Sequence, residues 1–316
     1  MITLKQMAYF DALARRLHFG QAAEDAHVSQ PALSTQIAEL ERRLGCALVE
    51  RNRGAVALTE TGQQLLPAFR RVLDEVRSIE EQARQESGVL NGTLKLGLIP
   101  TIAPYVLPSL APVLTERFPK LEFRVKEAVT ETLVQQLHAG SLDAIVAALP
   151  INESWIGHTE LFADRFYMVA SENDDILVSP LNQHQIALDR LLLEEGHCLR
   201  DQALALCEER PAANLVNYGA TSLTTLLQMV ANGMGRTLLP EIALPAECQR
   251  RGDIRIMAFA PPVPERNIAL FYRRGSHRRA DFEAVSELIC EMARGIFADA
   301  EQVLSGRQVQ TAAFNR

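Results

Sequence analysis

The sequence predicts three parts in series: a mostly α-helical winged helix-turn-helix at the N-terminus, one long linker helix, and an α/β unit of two subdomains. Three observations carry this. Apolar residues recur at three- and four-residue steps over residues 4–45. A single helical stripe then runs for about seven turns over residues 59–88. From residue 93 onward, strand-like and helix-like stretches alternate.

In the N-terminal part, Leu4, Met7, Ala8, Phe10, Leu13, Ala14 and Leu17 line one face of a first helix. A second short helix follows in 20-GQAAEDA-26, then a tight connection at His27 and Val28, then a third helix in 29-SQPALSTQIAELERRLG-45. Ser29 suits the N-cap, Pro31 the first turn and Gly45 the C-cap, while Leu33, Ile37, Leu40 and Leu44 form the buried stripe. Gln30, Ser34, Thr35 and Gln36 lie off that stripe, placed to reach base edges and phosphates in a DNA major groove. The stretch 47-ALVERNRGAVALTETG-62 reads as a β-ribbon turning at Asn52 to Gly54, with Arg51 and Arg53 near its tip for phosphate or minor-groove contact. Pattern alone also permits a solvated three-helix unit with no ligand.

From the capping Thr59, Leu66, Phe69, Val72, Leu73, Val76, Ile79 and Ala83 repeat at helical spacing. Such a stripe needs a partner, either its own domain or a second copy of the helix. Gly88 to Gly92 is a turn-rich break. Beyond it, strands at 93–99, 121–128, 142–149, 165–171, 214–219, 236–240 and 267–274 alternate with helices at 104–119, 130–140, one starting near Cys198, 221–233 and 279–297. The domains expected are 1–60, 61–90 and 91–300, the last divided into about 91–163 with 268–300 and about 164–267, with 301–316 a flexible tail poor in apolar periodicity. Alternation implies a parallel sheet, and two α/β halves joined by crossing strands leave a cleft where ligands usually bind.

The 316 residues are 47% hydrophobic and 22% charged, a globular balance. A net charge of −7 argues against non-specific coating of nucleic acid, yet the first sixty residues balance seven basic against seven acidic side chains, which leaves a local basic surface open. With no long apolar run and no signal-peptide core, a cytoplasmic protein without membrane contact is expected. No metal-ligand cluster, phosphate-binding Gly loop or Ser-His-Asp arrangement stands out, so neither metal nor cofactor is expected.

Five cysteines, Cys46, Cys198, Cys207, Cys248 and Cys290, are an odd number spread over the chain, unlike the dense even framework of a secreted domain. Two fall in 196-GHCLRDQALALC-207. Were this run helical throughout, their Cα atoms would stand roughly 13 Å apart on nearly opposite faces, against about 7 Å for a disulfide. A bridge therefore requires unwinding, and closing a loop of about ten residues is worth roughly 2.5–3 kcal/mol through the unfolded segment. His197 and Arg200 are potential cations beside Cys198 and favour a thiolate, Asp201 can orient a donor or a water, and Cys207 lies in an apolar run. The residues alone leave two readings, a redox pair or two core thiols.

The segment 22-AAEDAHVSQPALSTQIAELERRLGCALVERNRGAVALTETG-62 resembles the winged helix-turn-helix of LysR-type transcriptional regulators, and the similarity continues to about residue 300. The resemblance implies a third helix in the major groove with Gln30, Pro31, Ser34 and Thr35 facing it, and a wing carrying Arg51 and Arg53. It also implies a long helix paired with its twin, so that two recognition helices address half-sites about one helical turn, or multiples of it, apart. Ala38 stands where many members carry a basic residue, which removes one phosphate contact. The regulatory unit implied is two Rossmann-like, periplasmic-binding-protein-like subdomains.

GHCLRDQALALC and 98-LIPTIAPYVLP-108 further resemble the hydrogen-peroxide sensors of that family. This implies Cys198 as peroxidatic thiol, Cys207 as resolving thiol, and a peroxide pocket of Thr101, Thr130, His197, Asp201 and Arg273. Hydrogen peroxide is then the effector, and a Cys198–Cys207 disulfide remodels residues of roughly 195–225. The partners implied are double-stranded promoter DNA, RNA polymerase, a glutaredoxin or thioredoxin reductant, and further copies of the chain in a homodimer or homotetramer that activates peroxide-defence genes. Two other functions compete. A regulator holding a small metabolite in the cleft, its cysteines inert, is separated by thiol titration with peroxide. A thiol peroxidase is separated by sustained turnover independent of DNA.

Overall fold

The computed structural model describes residues 1–52, 55–84, 88–174, 180–181, 222–249 and 251–314. They fall into two compact units, Met1–Gly88 with Gln135–Asp143, and Val89–Val134 with Ala144–Arg316.

Helix α1 (Leu4–Arg16) opens on a reciprocal cap: the Gln6 N–H donates to Thr3 Oγ1 and the Thr3 N–H to Gln6 Oε1, at 3.2 and 3.0 Å. Helix α2 (Phe19–Asp25) is capped by His18 Nδ1, which accepts from the Gln21 N–H. Helix α3 (Gln30–Leu44) has Ser29 at its N-cap position without a side-chain capping bond, Pro31 in the first turn, and Gly45 at φ 73° as its stop. A side chain at Gly45 would be strained in that left-handed conformation. Strands β1 (Val49–Asn52) and β2 (Ala55–Leu58) form the antiparallel ribbon. Glu41 Oε1 accepts from the N–H groups of both Leu48 and Val49, which fixes the ribbon to α3. Phe10, Leu13, Leu33, Ile37, Leu40 and Leu48 are fully buried in one apolar core.

Helix α4 (Glu60–Arg84) starts at Thr59, whose Oγ1 accepts from the Gly62 N–H at 3.0 Å and donates to the Ala47 carbonyl at 2.7 Å. Gly62 is needed for this approach, because a Cβ would stand 2.2 Å from the Leu48 carbonyl oxygen. Phe69 meets Phe10 edge-on at 5.7 Å, and Arg70 Nε bonds Asp11 at 2.7 Å. Of the expected stripe, Leu66, Phe69 and Leu73 pack on this core, whereas Val72 and Ile79 are exposed.

In the second unit, β3 (Gly92–Leu98), β4 (Leu121–Glu127) and β5 (Ala144–Ala148) are parallel, with α5 (Ala103–Arg117) and α6 (Thr130–His138) between them in the chain. Strand β6 (Ile156–Ser171) pairs through its first part with β9 (Glu265–Arg273), and through its second with β7 (Thr237–Pro240) and β8 (Ile254–Met257), all antiparallel. Strand β9 also lies antiparallel to β5, giving the order β4–β3–β5–β9–β6–β7 with β8 on β6. Among the named strands of the described residues, the expected parallel pairing holds for β3 to β5, while β6 and β9 run antiparallel to their neighbours. Strand β6 starts well before the strand expected at 165–171, because its first part alternates while its second is buried on both faces, so no single period marks it.

Ser222 caps α7 (Leu223–Ala231), and a 3₁₀ turn at Glu241–Ala243 leads into α8 (Leu244–Cys248). The last helix, α9 (Arg279–Phe314), has 36 residues and continues through 298–314, part of which the sequence pattern gave as a tail. Ala, Gln, Glu and Arg there favour helix without an apolar period, Ala300 is fully buried, and Phe297 meets Phe162 at 5.5 Å. Asp281 at its start accepts from the Leu90 N–H and from Arg278 Nε, both at 2.7 Å. The strand expected at 214–219 lies outside the described residues. No described helix is long and apolar enough to cross a membrane.

Candidate functional site

Two places in the fold hold most of the described residues singled out by the sequence. The first is the outer side of α3. Gln30, Pro31 and Thr35 are exposed, while Ser34 and Gln36 are half-buried. Thr35 Oγ1 donates to the Pro31 carbonyl at 2.9 Å, which fixes its rotamer. Gln36 Oε1 accepts from Gln6 Nε2 at 3.3 Å, so this glutamine turns toward α1 instead of outward. One turn further, Arg42 and Arg43 both close on Glu39, and their hydrogen bonds hold its carboxyl below the usual range. Of Arg51 the backbone in β1 is described; its side chain and all of Arg53 lie outside the described residues.

The second site is inside the α/β unit. Leu98 of β3 pairs with Glu127 of β4, and Thr101 and Thr130 each stand three residues further along. Both hydroxyls are therefore carried past the carboxyl ends of two adjacent parallel strands, where such sheets bind ligands. Thr101 is buried, and its Oγ1 accepts from Arg266 Nη1 at 2.8 Å while its carbonyl accepts from Nη2 at 3.3 Å. Thr130 Oγ1, at the first position of α6, is buried with no hydrogen-bond partner among the described residues. A threonine that accepts from a guanidinium keeps its own O–H for a ligand, and an unpartnered hydroxyl can both donate and accept.

Behind Thr101 stands a fully buried ion pair. Arg266 Nε and Nη2 donate to Asp164 Oδ2 at 3.0 and 2.8 Å, and both side chains have 0% exposure. Asp164 Oδ1 accepts from the Ile242 N–H at 3.1 Å. Burial pushes the Asp164 carboxyl up, against the lowering effect of the Arg266 charge and of the backbone N–H groups of Ile242 and Glu241. The Phe166 ring faces the guanidinium at 5.8 Å. Nearby on α5, the Tyr105 hydroxyl donates to Glu247 Oε1 at 3.2 Å, and Thr224 Oγ1 at the start of α7 donates to the same oxygen at 2.7 Å. Burial and the Glu247 charge push the Tyr105 phenol above its ordinary value.

Arg266, which the sequence reading did not select, is the cation on Thr101. Arg273, which it did select, ends β9 opposite Ile156. The seven-residue separation is odd, so on a regular strand the two arginines point to opposite faces. The signal for Arg266 was present in the sequence: it alternates with Ile268, Leu270 and Tyr272 and so shares the inward-facing set of an apolar strand. His197, Cys198, Asp201 and Cys207 lie outside the described residues. Of the described cysteines, Cys46, Cys248 and Cys290 are free thiols; the Cys290 Sγ–H donates to the Leu161 carbonyl at 3.2 Å, and burial pushes its thiol up, away from thiolate character. Among the described residues no cluster of His, Cys, Asp or Glu could hold a metal ion.

A winged helix-turn-helix followed by an α/β unit with buried threonine hydroxyls past its strand ends defines a class, the transcription regulators that bind DNA and sense a signal in one chain. Residues 4–63 match the bacterial regulatory helix-turn-helix of the lysR family and residues 87–294 the LysR substrate binding domain, and the chain belongs to that family. It is 39% identical over 302 residues to the DNA-binding transcriptional dual regulator OxyR of Escherichia coli K12, covering 94% of this chain and 97% of that protein. A full-length OxyR variant from Pseudomonas aeruginosa superposes with a TM-score of 0.76 at 34% identity, over 92% of this chain and 98% of that one. A Corynebacterium glutamicum OxyR variant with hydrogen peroxide bound gives a TM-score of 0.65 at 34% identity, over 96% and 97% of the two chains.

Proposed function

We propose that this protein is a hydrogen-peroxide-sensing transcription regulator, resembling OxyR, whose reduced and oxidised forms engage promoter DNA differently. The observation that carries the reading is the pair of hydroxyls past β3 and β4: Thr101 with its oxygen occupied by Arg266, and Thr130 with no partner among the described residues. Hydrogen peroxide both donates and accepts, and it is small enough for such a site. The peroxide-bound Corynebacterium structure, alike over nearly the whole chain, supports the same choice of ligand.

In this reading the Cys198 thiolate attacks one peroxide oxygen. An S–O bond forms, the O–O bond breaks, and the leaving hydroxide takes up a proton to become water. The Thr101 O–H, polarised by Arg266 behind it, donates to the oxygen that gains charge. His197 and Arg200 favour the thiolate, and Asp201 orients the pocket. The Cys207 thiol then attacks the sulfenic sulfur, forming the disulfide and releasing a second water, so that two electrons pass from the thiols to the peroxide. Arg266 serves as the basic residue of the site, bonded to Thr101.

Gln30, Pro31, Ser34 and Thr35 face the major groove, with Arg51 and Arg53 in the wing and Gln36 serving mainly to hold α3 on α1. The exposed Val72 and Ile79 of α4 form the contact with a second copy, and a tetramer is a dimer of such dimers. RNA polymerase reads the complex, and a cytoplasmic glutaredoxin or thioredoxin returns the disulfide to thiols. The test uses duplex DNA selected from a random pool by the reduced full-length protein, footprinted before and after stoichiometric peroxide. The protected region changes on oxidation and reverts with a dithiol, and it does not change in Cys198→Ser. Identical footprints in both redox states of the wild type would contradict the reading.

A further inference from the structure

Asp164 is fully buried behind Thr101, and it is bonded to the arginine that bonds Thr101. Asp164 divides its two oxygens between opposite neighbours, Oδ1 to the Ile242 N–H at 3.1 Å and Oδ2 to Arg266 Nε and Nη2 at 3.0 and 2.8 Å. That leaves Arg266 Nη1 aimed at Thr101 Oγ1 at 2.8 Å. A guanidinium is planar and its donors are fixed relative to one another, so gripping two N–H groups on one side sets the direction of the third. Asp164 comes from β6 and Arg266 from β9, and the two residues are Cα partners in the register between those strands. Ile242 follows β7, so the carboxylate ties the turn after β7 to the pair.

We infer that Asp164 is a positioning residue of the effector site: by orienting Arg266 it commits the Thr101 oxygen to accepting and leaves the Thr101 proton for the ligand. The inference rests on the peroxide-sensing reading and adds a residue to it. An amide in place of the carboxylate presents one acceptor and one donor. It can keep Ile242 or Arg266, but not both, and an N–H facing the guanidinium turns Arg266 away from Thr101. A glutamate keeps both acceptors but sets them one methylene out of place.

The experiment compares full-length wild type, Asp164→Asn and Asp164→Glu. The rate of Cys198 oxidation by hydrogen peroxide is measured beside the rate of its alkylation by iodoacetamide, which needs the thiolate but no peroxide orientation. Asp164→Asn is expected to slow oxidation about tenfold or more, and Asp164→Glu about threefold, each with alkylation within about twofold of wild type. If the Asn variant does not fold, the Glu variant decides alone by the same criterion. Wild-type oxidation rates in the folded variants, or oxidation and alkylation falling in parallel, would overturn the role. Failure of the wild type itself to react with peroxide would instead overturn the sensing reading on which it rests.

Discussion

The two compact units use polar side chains in opposite ways. In the N-terminal unit, the residues proposed to meet DNA lie outside the core: Gln30, Pro31 and Thr35 are exposed above a layer of fully buried Leu33, Ile37 and Leu40. In the α/β unit, the residues proposed to meet the effector are supported from inside the fold, and Thr101, Arg266 and Asp164 satisfy one another where water does not reach. Function and stability are therefore separable on α3 and inseparable around Arg266, since a buried charge is tolerated only with its partners in place.

The largest effect is expected at the buried pair. Arg266→Ala leaves Asp164 buried without its cation and should cost about 3–5 kcal/mol of stability, read from denaturant unfolding. A cost like that of a surface ion pair, below about 1 kcal/mol, would place the pair in a far wetter environment than its geometry indicates. On the other side of the comparison, Gln30→Ala should change stability by no more than about 0.5 kcal/mol while weakening DNA binding by about 1–3 kcal/mol. Unfolding curves and anisotropy titrations on the same preparation check both, and a stability loss matching the affinity loss would erase the separation.

The smallest effect concerns Glu241, whose carboxyl is pushed up first by burial and further by the charges of Asp164 and Glu301, against the lowering effect of Arg165. Because its folded form holds the proton more tightly than the unfolded chain does, its contribution is favourable in acid and is lost as pH rises from the ordinary glutamate range through the raised one. Glu241→Gln should then raise Tm by about 1–2 °C near pH 8 and give no gain near pH 4. A lower Tm at the alkaline end would reverse the sign of the burial effect.

The same contrast explains what could be read from the sequence. The N-terminal unit was legible almost element by element, because helical period, Pro31 and Gly45 are local signals that this fold obeys. Gln36 escaped the pattern: a helical wheel puts it off the apolar stripe, but only packing shows Gln6 of α1 bonded to it. In the α/β unit Thr101 and Thr130 are singled out by family resemblance alone, and strand register sets them past the ends of adjacent strands. Arg266 and Arg273 are told apart by residue spacing along β9, which puts them on opposite faces and leaves Arg266 bonded to Thr101. Asp164 was hidden because the first part of β6 was not recognised as strand. The far end of α9 was hidden because its helix rests on residue propensity and not on an apolar stripe.

The central claim is that Cys198 and Cys207 are a peroxide-driven pair. The most direct test is mass spectrometry of the reduced full-length protein, alkylated after brief exposure to stoichiometric hydrogen peroxide, with Cys198→Ser treated alike. The account predicts a Cys198–Cys207 disulfide in the wild type that is absent from the variant, with Cys46, Cys248 and Cys290 still alkylated as free thiols. Alkylated Cys198 and Cys207 in the peroxide-treated wild type would contradict it and direct attention to a small metabolite in the α/β unit.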